Sequence, residues 1–205
     1  MKKFELTNEF ITNMFGTKLF RIRALVEFGD VEAGELGGYV EKESNLGHDD
    51  NAWVYDNAWV YGDAQVSGDA LVYDNARVYG NARVYGDAQV SGDALVYDNA
   101  WVYGNAQVSG DARVCGDARV CGNGDYAYAH GFGSVNRTTT FFRLKDGGVG
   151  VRCGCFYGTL AQFRDKIRET HGETKKAQEY LMLADLMELR FEEDENEVGN
   201  RKYVE

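Results

Sequence analysis

The sequence lacks the features that would place it in a membrane or in a secretion pathway. None of its apolar runs approaches the ~18 residues that are needed to span a bilayer. Residues 1–6 contain two lysines, but no apolar segment follows them, so we predict no secretory signal. The hydrophobic fraction of 44% excludes wholesale disorder, and 205 residues are enough to bury a core.

Cysteine and positive charge are also scarce. The four cysteines (Cys115, Cys121, Cys153 and Cys155) lack the spacing of a disulfide framework or a zinc motif, which favours a reducing cytoplasm. The net charge of -11 would repel phosphates, so a nucleic-acid polymer is not an expected partner. No pattern indicates a metal ion or a cofactor.

What the sequence does contain is a six-residue repeat that runs without a break from Asn51 to Asn123. The unit is Asp/Asn-Ala-x-Val-(Tyr/Ser/Cys)-(Gly/Asp), and valine recurs twelve times, from Val54 to Val120. Because side chains alternate along a strand, Ala and Val face one way, and x and the residue after Val face the other. The joint is always drawn from Gly, Asp and Asn, which tolerate the backbone angles of a tight turn. Each unit is therefore predicted to be a short strand followed by a corner.

Three such units, with their three corners, close one coil, which predicts a parallel β-helix with the outline of a triangular prism. Twelve units make four coils, stacked about 4.8 Å apart, with an interior of Ala and Val alone. Upstream, Val40 and Leu46 keep the rhythm before residues 47–50 insert two extra positions. Downstream, Tyr126 and Phe132 hold the six-residue phase but place aromatic rings where Val stood, which should stop the prism. The solenoid is predicted to have about five to six coils in all.

The flanks predict a cap at each end. Before the repeats, strands are expected at residues 4–7 and 18–26. After them, two strands flank the turn signal at residues 145–148, and two helices follow, the first with Thr159 as its N-cap and Gly172 as its stop. The predicted fold class is an all-β solenoid with a small N-terminal β cap and a C-terminal cap made of a β-hairpin and two helices. The predicted regions are the N-terminal cap (1–37), the β-helix (38–135), the hairpin and helical region (136–191) and an acidic tail (192–205).

The chain resembles hexapeptide-repeat left-handed β-helix proteins, through units such as Asn-Ala-Trp-Val-Tyr-Asp. Its flanks resemble a narrower set that bacteriophages and prophages of gut bacteria often encode, through the strings at 19–25, 34–41 and 154–160. The resemblance implies left-handed coiling and a homotrimer with parallel prisms, in the host cytoplasm if the protein is phage-encoded. The spacing alone does not fix the hand, and the general crossover rule favours the right hand. Such proteins are often described as transferases by fold alone, which is weak grounds for a function.

Histidine, on which the acyltransferases of this class usually depend, is missing from the repeats. His130 falls on an inward alanine position of a terminal coil, so a packing role is predicted. His171 ends a helix, where its charge suits the helix dipole. His48, in the entry loop, is the only candidate for a catalytic base. We therefore favour a non-catalytic protein and keep an acyltransferase that uses His48 as the alternative.

The outward positions divide into three faces. The first face carries Trp53/Tyr55, Leu71/Tyr73, Gln89/Ser91 and Gln107/Ser109; the second carries Trp59/Tyr61, Arg77/Tyr79, Leu95/Tyr97 and Arg113/Cys115; the third carries Gln65/Ser67, Arg83/Tyr85, Trp101/Tyr103 and Arg119/Cys121. The repeats contain no Lys or Glu, so their four arginines are their only cations. Arginine beside aromatic rings can pair a phosphate and stack a base. The candidate ligand-binding residues are accordingly Arg77, Arg83, Tyr85, Trp101, Tyr103, Arg113 and Arg119.

A simpler interpretation is that the aromatic ladders stabilise the stacked strands and bury a trimer interface. Residues 60–76 are identical to residues 84–100, an offset of four units that shifts the outward residues by one face but leaves the Ala/Val interior intact. This favours selection for the inside, with specific recognition at the ends. The predicted function is a binding or scaffold protein, with a protein partner or small anionic ligand at an end cap. Besides the acyltransferase, a second alternative to this function is a protein that sequesters a nucleotide-type signal and so acts against host defence.

Overall fold

A computed structural model describes residues 2–133 and 136–192, and in it the repeats form a β-solenoid. Each six-residue unit contributes a two-residue strand that ends on the repeat valine. The strands are β4 (Trp53–Val54), β5 (Trp59–Val60), β6 (Gln65–Val66), β7 (Leu71–Val72), β8 (Arg77–Val78), β9 (Arg83–Val84), β10 (Gln89–Val90), β11 (Leu95–Val96), β12 (Trp101–Val102), β13 (Gln107–Val108), β14 (Arg113–Val114) and β15 (Arg119–Val120).

The register of the strands gives three repeat units per coil. Trp53 pairs in parallel with Leu71, and Gln89 pairs with Gln107, so every third strand lies on the same face. The three faces are β4-β7-β10-β13, β5-β8-β11-β14 and β6-β9-β12-β15. The predicted coil and the predicted faces are confirmed, and the whole solenoid has about five turns.

The interior is made of the repeat Ala and Val residues, all of which are at most 1% exposed. Burying a valine side chain contributes roughly 1.5–3 kcal/mol relative to leaving it in water. The prism is narrow, so a larger side chain has no room and a polar one has no partner. The inward pattern therefore specifies the fold.

The corners need left-handed backbone angles, and glycine or aspartate supplies them. Gly68 has φ +69°, and a Cβ there would lie 2.9 Å from the backbone nitrogen of Gly86 in the next coil. Asp74 (φ 59°) tolerates the same region, and its carboxylate accepts a hydrogen bond from the Gly92 N–H at 3.0 Å. An aspartate corner thus costs some backbone strain but links two coils.

The N-terminal cap extends the second face. The cap contains β1 (Phe4–Thr12), β2 (Lys18–Ala24) and β3 (Leu36–Val40), in which β2 pairs antiparallel with both β1 and β3, and β3 pairs in parallel with β5. Val40 lies opposite Val60, and Leu46 lies opposite Val66, beyond a 3₁₀ turn at Glu43–Asn45. In both pairs the partners lie two positions further apart along the chain than paired valines of the regular repeats, which confirms the predicted insertion.

The C-terminal cap is an antiparallel sheet backed by two helices. The sheet contains β16 (Tyr126–Phe132), β17 (Arg137–Arg143), β18 (Val149–Cys153) and β19 (Phe156–Thr159). Helix α1 (Leu160–His171) begins at Thr159, whose hydroxyl accepts the Gln162 N–H, and ends at Gly172, as predicted. Helix α2 (Lys175–Phe191) packs on α1 and encloses a second apolar core. The predicted acidic tail lies outside the described residues, apart from Glu192.

One expectation at this end is wrong. His130 does not face into a terminal coil; it is exposed on β16, which pairs with β17 instead of coiling. The physical reason is that Tyr128-Ala129 occupies the position of the Gly/Asp/Asn corner pair, so the chain continues straight. Tyr126 covers the last coil together with Phe142 and Leu144 of the C-terminal sheet, and its hydroxyl donates to the Gln107 carbonyl at 2.6 Å.

Candidate binding surfaces

The third face brings two arginines and a tryptophan into one row. Arg83, Trp101 and Arg119 are direct neighbours on adjacent coils. The Arg83 guanidinium carbon lies 5.1 Å from the indole centroid of Trp101, and that of Arg119 lies 4.2 Å from it. The guanidinium of Arg119 is also held by hydrogen bonds to the carbonyls of Asn99 and Ala118. The indole is therefore sandwiched between two cations.

The tyrosines beside this row stack on each other. The rings of Tyr85 and Tyr103 are 5.1 Å apart and nearly parallel, and Tyr103 is only 9% exposed. A base that stacked on Trp101 would have to displace a guanidinium, and one that stacked on Tyr103 would have to open the tyrosine column. The rings of this row are already in contact with the chain's own side chains.

The second face has the same chemistry. The Arg77 guanidinium carbon lies 4.3 Å from the ring centroid of Trp59. Tyr61, Tyr79 and Tyr97 form a column with ring spacings of 5.0 Å at both steps. Burial raises the pKa of Tyr79 to about 12. Burial and a hydrogen bond with the Cys115 thiol raise the pKa of Tyr97 above its usual value. The hydroxyl groups of the column are thus partly shielded from water.

The N-terminal cap lengthens this row beyond the repeats. Tyr39 lies opposite Trp59, and the Arg21 guanidinium carbon is 5.2 Å from the Tyr39 ring centroid. Arg21 also donates to the Tyr39 hydroxyl, which in turn donates to Glu9. Neither Arg21 nor Tyr39 was predicted from the sequence, although Tyr39-Val40 has the spacing of a repeat x-Val pair. The row of arginine and aromatic side chains on the second face therefore continues onto the cap with Tyr39 and Arg21.

The first face is different because the N-terminal cap covers its first step. Trp53 is fully buried against Phe28 and Phe4, with ring centroids 5.2 and 6.2 Å away. Its remaining outward residues are neutral. Arginine–aromatic rows are thus confined to the second and third faces, which meet at the corners 62–63, 80–81, 98–99 and 116–117.

The four repeat arginines have no acidic partners of their own. Within the described part of the chain, Arg77, Arg83, Arg113 and Arg119 form no ion pair. Arg113 lies away from the stacks and faces the C-terminal cap. Three of the predicted binding arginines are therefore brought together with aromatic rings, and the fourth belongs to another site.

His48 contacts Lys3 and Phe4 of the N-terminal cap and Glu43 of the 3₁₀ turn. Its ring stacks on Phe4 at 4.5 Å, its Nδ1 accepts the Lys3 backbone N–H at 3.2 Å, and its Nε2 lies 2.9 Å from a carboxylate oxygen of Glu43. Since Nδ1 is an acceptor, Nε2 carries the proton and donates it to Glu43. The geometry gives His48 a role in fixing the cap to the entry loop and leaves neither nitrogen for a substrate.

The described residues do not form a thiol or metal site. Cys115 is buried beside Tyr97, and burial raises the pKa of its thiol. Among residues 2–133 and 136–192, no three His, Cys, Asp or Glu side chains are grouped as a metal ion would require. None of the helices in these residues is both long and apolar enough to cross a bilayer.

Comparison with known proteins identifies the repeat but not a whole-chain relative. Four stretches, 64–78, 76–90, 88–104 and 106–122, match the family model of the YdcK beta solenoid repeat. No curated protein matches the chain. The matched stretches lie within the coils that form the three faces, so the central part of this chain is a run of β-solenoid repeats similar to those of that model.

Proposed function

We propose that the protein is a non-catalytic scaffold that assembles as a parallel homotrimer through its second and third faces. The observation that carries the proposal is the pair of arginine–indole rows on these two faces, each flanked by a tyrosine column. Arginine and aromatic residues are the types enriched at protein interfaces. The prisms would then present their caps, at both ends, to other partners.

A second copy of the chain is the partner that the charges favour. The corners between these faces carry Asp63, Asp98 and Asp117, all of which are exposed. In a parallel trimer, exposed carboxylates of one copy, such as those of Asp98 and Asp117, can approach the repeat arginines of the next copy; Asp63 is already paired with Lys42 of its own chain. Without such pairing, copies that each carry a net charge of -11 would repel each other.

Two observations support a scaffold over an enzyme. Both ring nitrogens of His48, the candidate base, are bonded within the N-terminal cap. In addition, the copied segment 60–76 and 84–100 places the same outward residues on different faces. An extended interface of repeated stacks tolerates such copying, whereas a single active site does not. The resemblance of the flanks supports a phage or prophage origin and a place in the host cytoplasm.

The mass of the protein in solution tests this proposal. Light scattering on the natural chain should give three times the mass of one chain, and dilution should lower that value only at concentrations near the dissociation constant. Added salt should weaken the assembly, because it screens the ion pairs between copies. A single-chain mass at every concentration would contradict the proposal.

A further inference from the structure

The last coil and the C-terminal sheet leave a cleft between them that is separate from the arginine–aromatic rows. We call it the cap cleft. It has a volume of about 390 Å³. Asp111 and Arg113 line it from the solenoid, and His130, Arg137 and Thr138 line it from β16 and β17.

The cap cleft concentrates positive charge in an acidic protein. The Arg113 and Arg137 side chains are exposed, and neither forms an ion pair with a described residue. Asp111 is the only carboxylate among the described residues that line the cleft. Two unpaired guanidinium groups therefore face one acid, in a chain whose net charge is -11. Guanidinium groups prefer planar or tetrahedral oxyanions as partners.

His130 is oriented by its neighbours so that one nitrogen is available to a ligand. Its Nδ1 lies 2.8 Å from the Thr138 hydroxyl and 3.6 Å from an Asp111 carboxylate oxygen. Both contacts use the same nitrogen. The ring is thus held at the wall of the cleft, and Nε2 is left to donate or accept a hydrogen bond.

Gly154 leaves room for the Arg137 side chain in the cleft. Gly154 has φ +59°, and a Cβ built on it would collide with a terminal nitrogen of the Arg137 guanidinium. The guanidinium therefore lies against the glycine backbone, where a larger residue would displace it. The turn between β18 and β19 thus positions a cation as well as reversing the chain.

An apolar pocket adjoins the cleft at Arg137, which lines both. This aromatic pocket has a volume of about 290 Å³ and lies between the sheet and the two helices. Its walls combine aromatic and aliphatic side chains and two cysteines with the polar residues Lys166, Thr170 and His171. They include Cys153, Cys155, Phe156, Phe163, Ile167 and Tyr180.

We propose that the cap cleft and the aromatic pocket together bind a small organic anion with an apolar body. The phosphate or carboxylate group binds Arg113 and Arg137 and accepts a hydrogen bond from His130, and the apolar body enters the aromatic pocket. Small-molecule sites usually combine an apolar cavity with a few polar or charged groups that orient the ligand. Both cavities lie within one chain. Arg113 also belongs to the second face of the proposed trimer, whereas Arg137 and His130 belong to the C-terminal cap, so Arg137 tests this inference independently of the trimer.

Calorimetry with four probes separates the two halves of the site. Phenyl phosphate and phenylacetate carry both a charge and a ring, inorganic phosphate carries the charge alone, and benzyl alcohol carries the ring alone. We expect one of the two charged aromatic probes to bind about tenfold or more tightly than either single-feature probe, because burying a phenyl ring adds to the charge-assisted hydrogen bonds. The tighter of the two identifies the charged group that the cleft prefers.

Matched variants assign the binding to the cleft. Arg137→Gln and Arg113→Gln should each weaken the tighter probe about tenfold, the value of a charge-assisted hydrogen bond. Arg168→Gln is the control, because Arg168 is an exposed arginine of α1 that pairs with Asp165 and does not line either cavity. Arg137→Gln, which changes no face of the solenoid, should keep the mass of the natural protein, whereas a failed trimer would show in the mass and leave the affinity change of Arg137→Gln intact. The inference is wrong if no probe binds at millimolar concentration, if inorganic phosphate binds as tightly as the charged aromatic probes, or if Arg168→Gln weakens binding as much as Arg137→Gln.

Discussion

The inward and outward positions of the same two-residue strands differ in which side chains they accept. Inside, every repeat position is Ala or Val, and all of them are excluded from water. Outside, the neighbouring position is Trp, Arg, Gln or Leu, and its exposure ranges from the fully buried Trp53 to the exposed Arg83. The inside therefore determines whether a coil forms, and the outside determines what the coil can contact. Any segment moved by a whole number of repeat units keeps the first property and changes the second.

The largest effect should come from placing charge inside the prism. Val84→Asp would bury a carboxylate with no partner, at a cost of several kcal/mol, which is comparable to the stability of a whole domain. We expect the loss of cooperative thermal unfolding by circular dichroism. Arg83→Asp, one residue earlier and facing outward, is the matched control and should still unfold cooperatively. If both variants melted alike, Val84 would not face a dry interior.

A deletion tests the coil length directly. Removing residues 75–92, which is one whole coil of three units, joins Asp74 to Asp93 and restores a corner pair, so a folded protein with one coil fewer is expected. Removing residues 75–89 breaks the six-residue phase and should leave the chain unable to stack. Circular dichroism and size-exclusion chromatography would compare the two. Equal folding of both deletions would rule out three units per coil.

The tyrosine columns of the outside predict a smaller effect at alkaline pH. The pKa of Tyr79 is raised by burial to about 12, so an unfolded chain, in which tyrosine titrates near its usual pKa of 10.0, loses this proton first. The stabilising contribution is therefore fully present below pH 10 and is lost as the pH rises through about 12. Tyr79→Phe should reduce this alkaline loss of stability, measured by urea unfolding at several pH values. A rise in tyrosinate absorbance from Tyr79 near pH 10, while the solenoid remains folded, would show that the column is open to water.

The parts of the structure that the sequence predicted are those whose residues recur at a fixed spacing. The coils, the interior and the faces followed from the spacing of Val54 to Val120, because a strict period leaves one way to bury the valines. The Arg83–Trp101–Arg119 row followed as well, since a coil of three units places these residues side by side.

The caps were less predictable because their contacts are long-range and aperiodic. His130 kept the phase of the repeat, yet the missing corner at Tyr128-Ala129 turned it outward. Arg21 joined the second face through a β2–β3 pairing that no local pattern reveals. The cap cleft depends on Arg113 and Arg137, which meet only when the C-terminal sheet folds over the last coil.

The most direct test of the scaffold is the sedimentation equilibrium of two double variants that change the outside alone. Arg77→Gln with Arg83→Gln removes two cations from the second and third faces, and Gln89→Glu with Gln107→Glu makes the same change in net charge on the first face. Both pairs leave the Ala/Val interior untouched, so both proteins should fold. We expect the first pair to sediment as a single chain and the second pair to keep the mass of three chains. Equal masses for the two variants would contradict assembly through the arginine–aromatic rows.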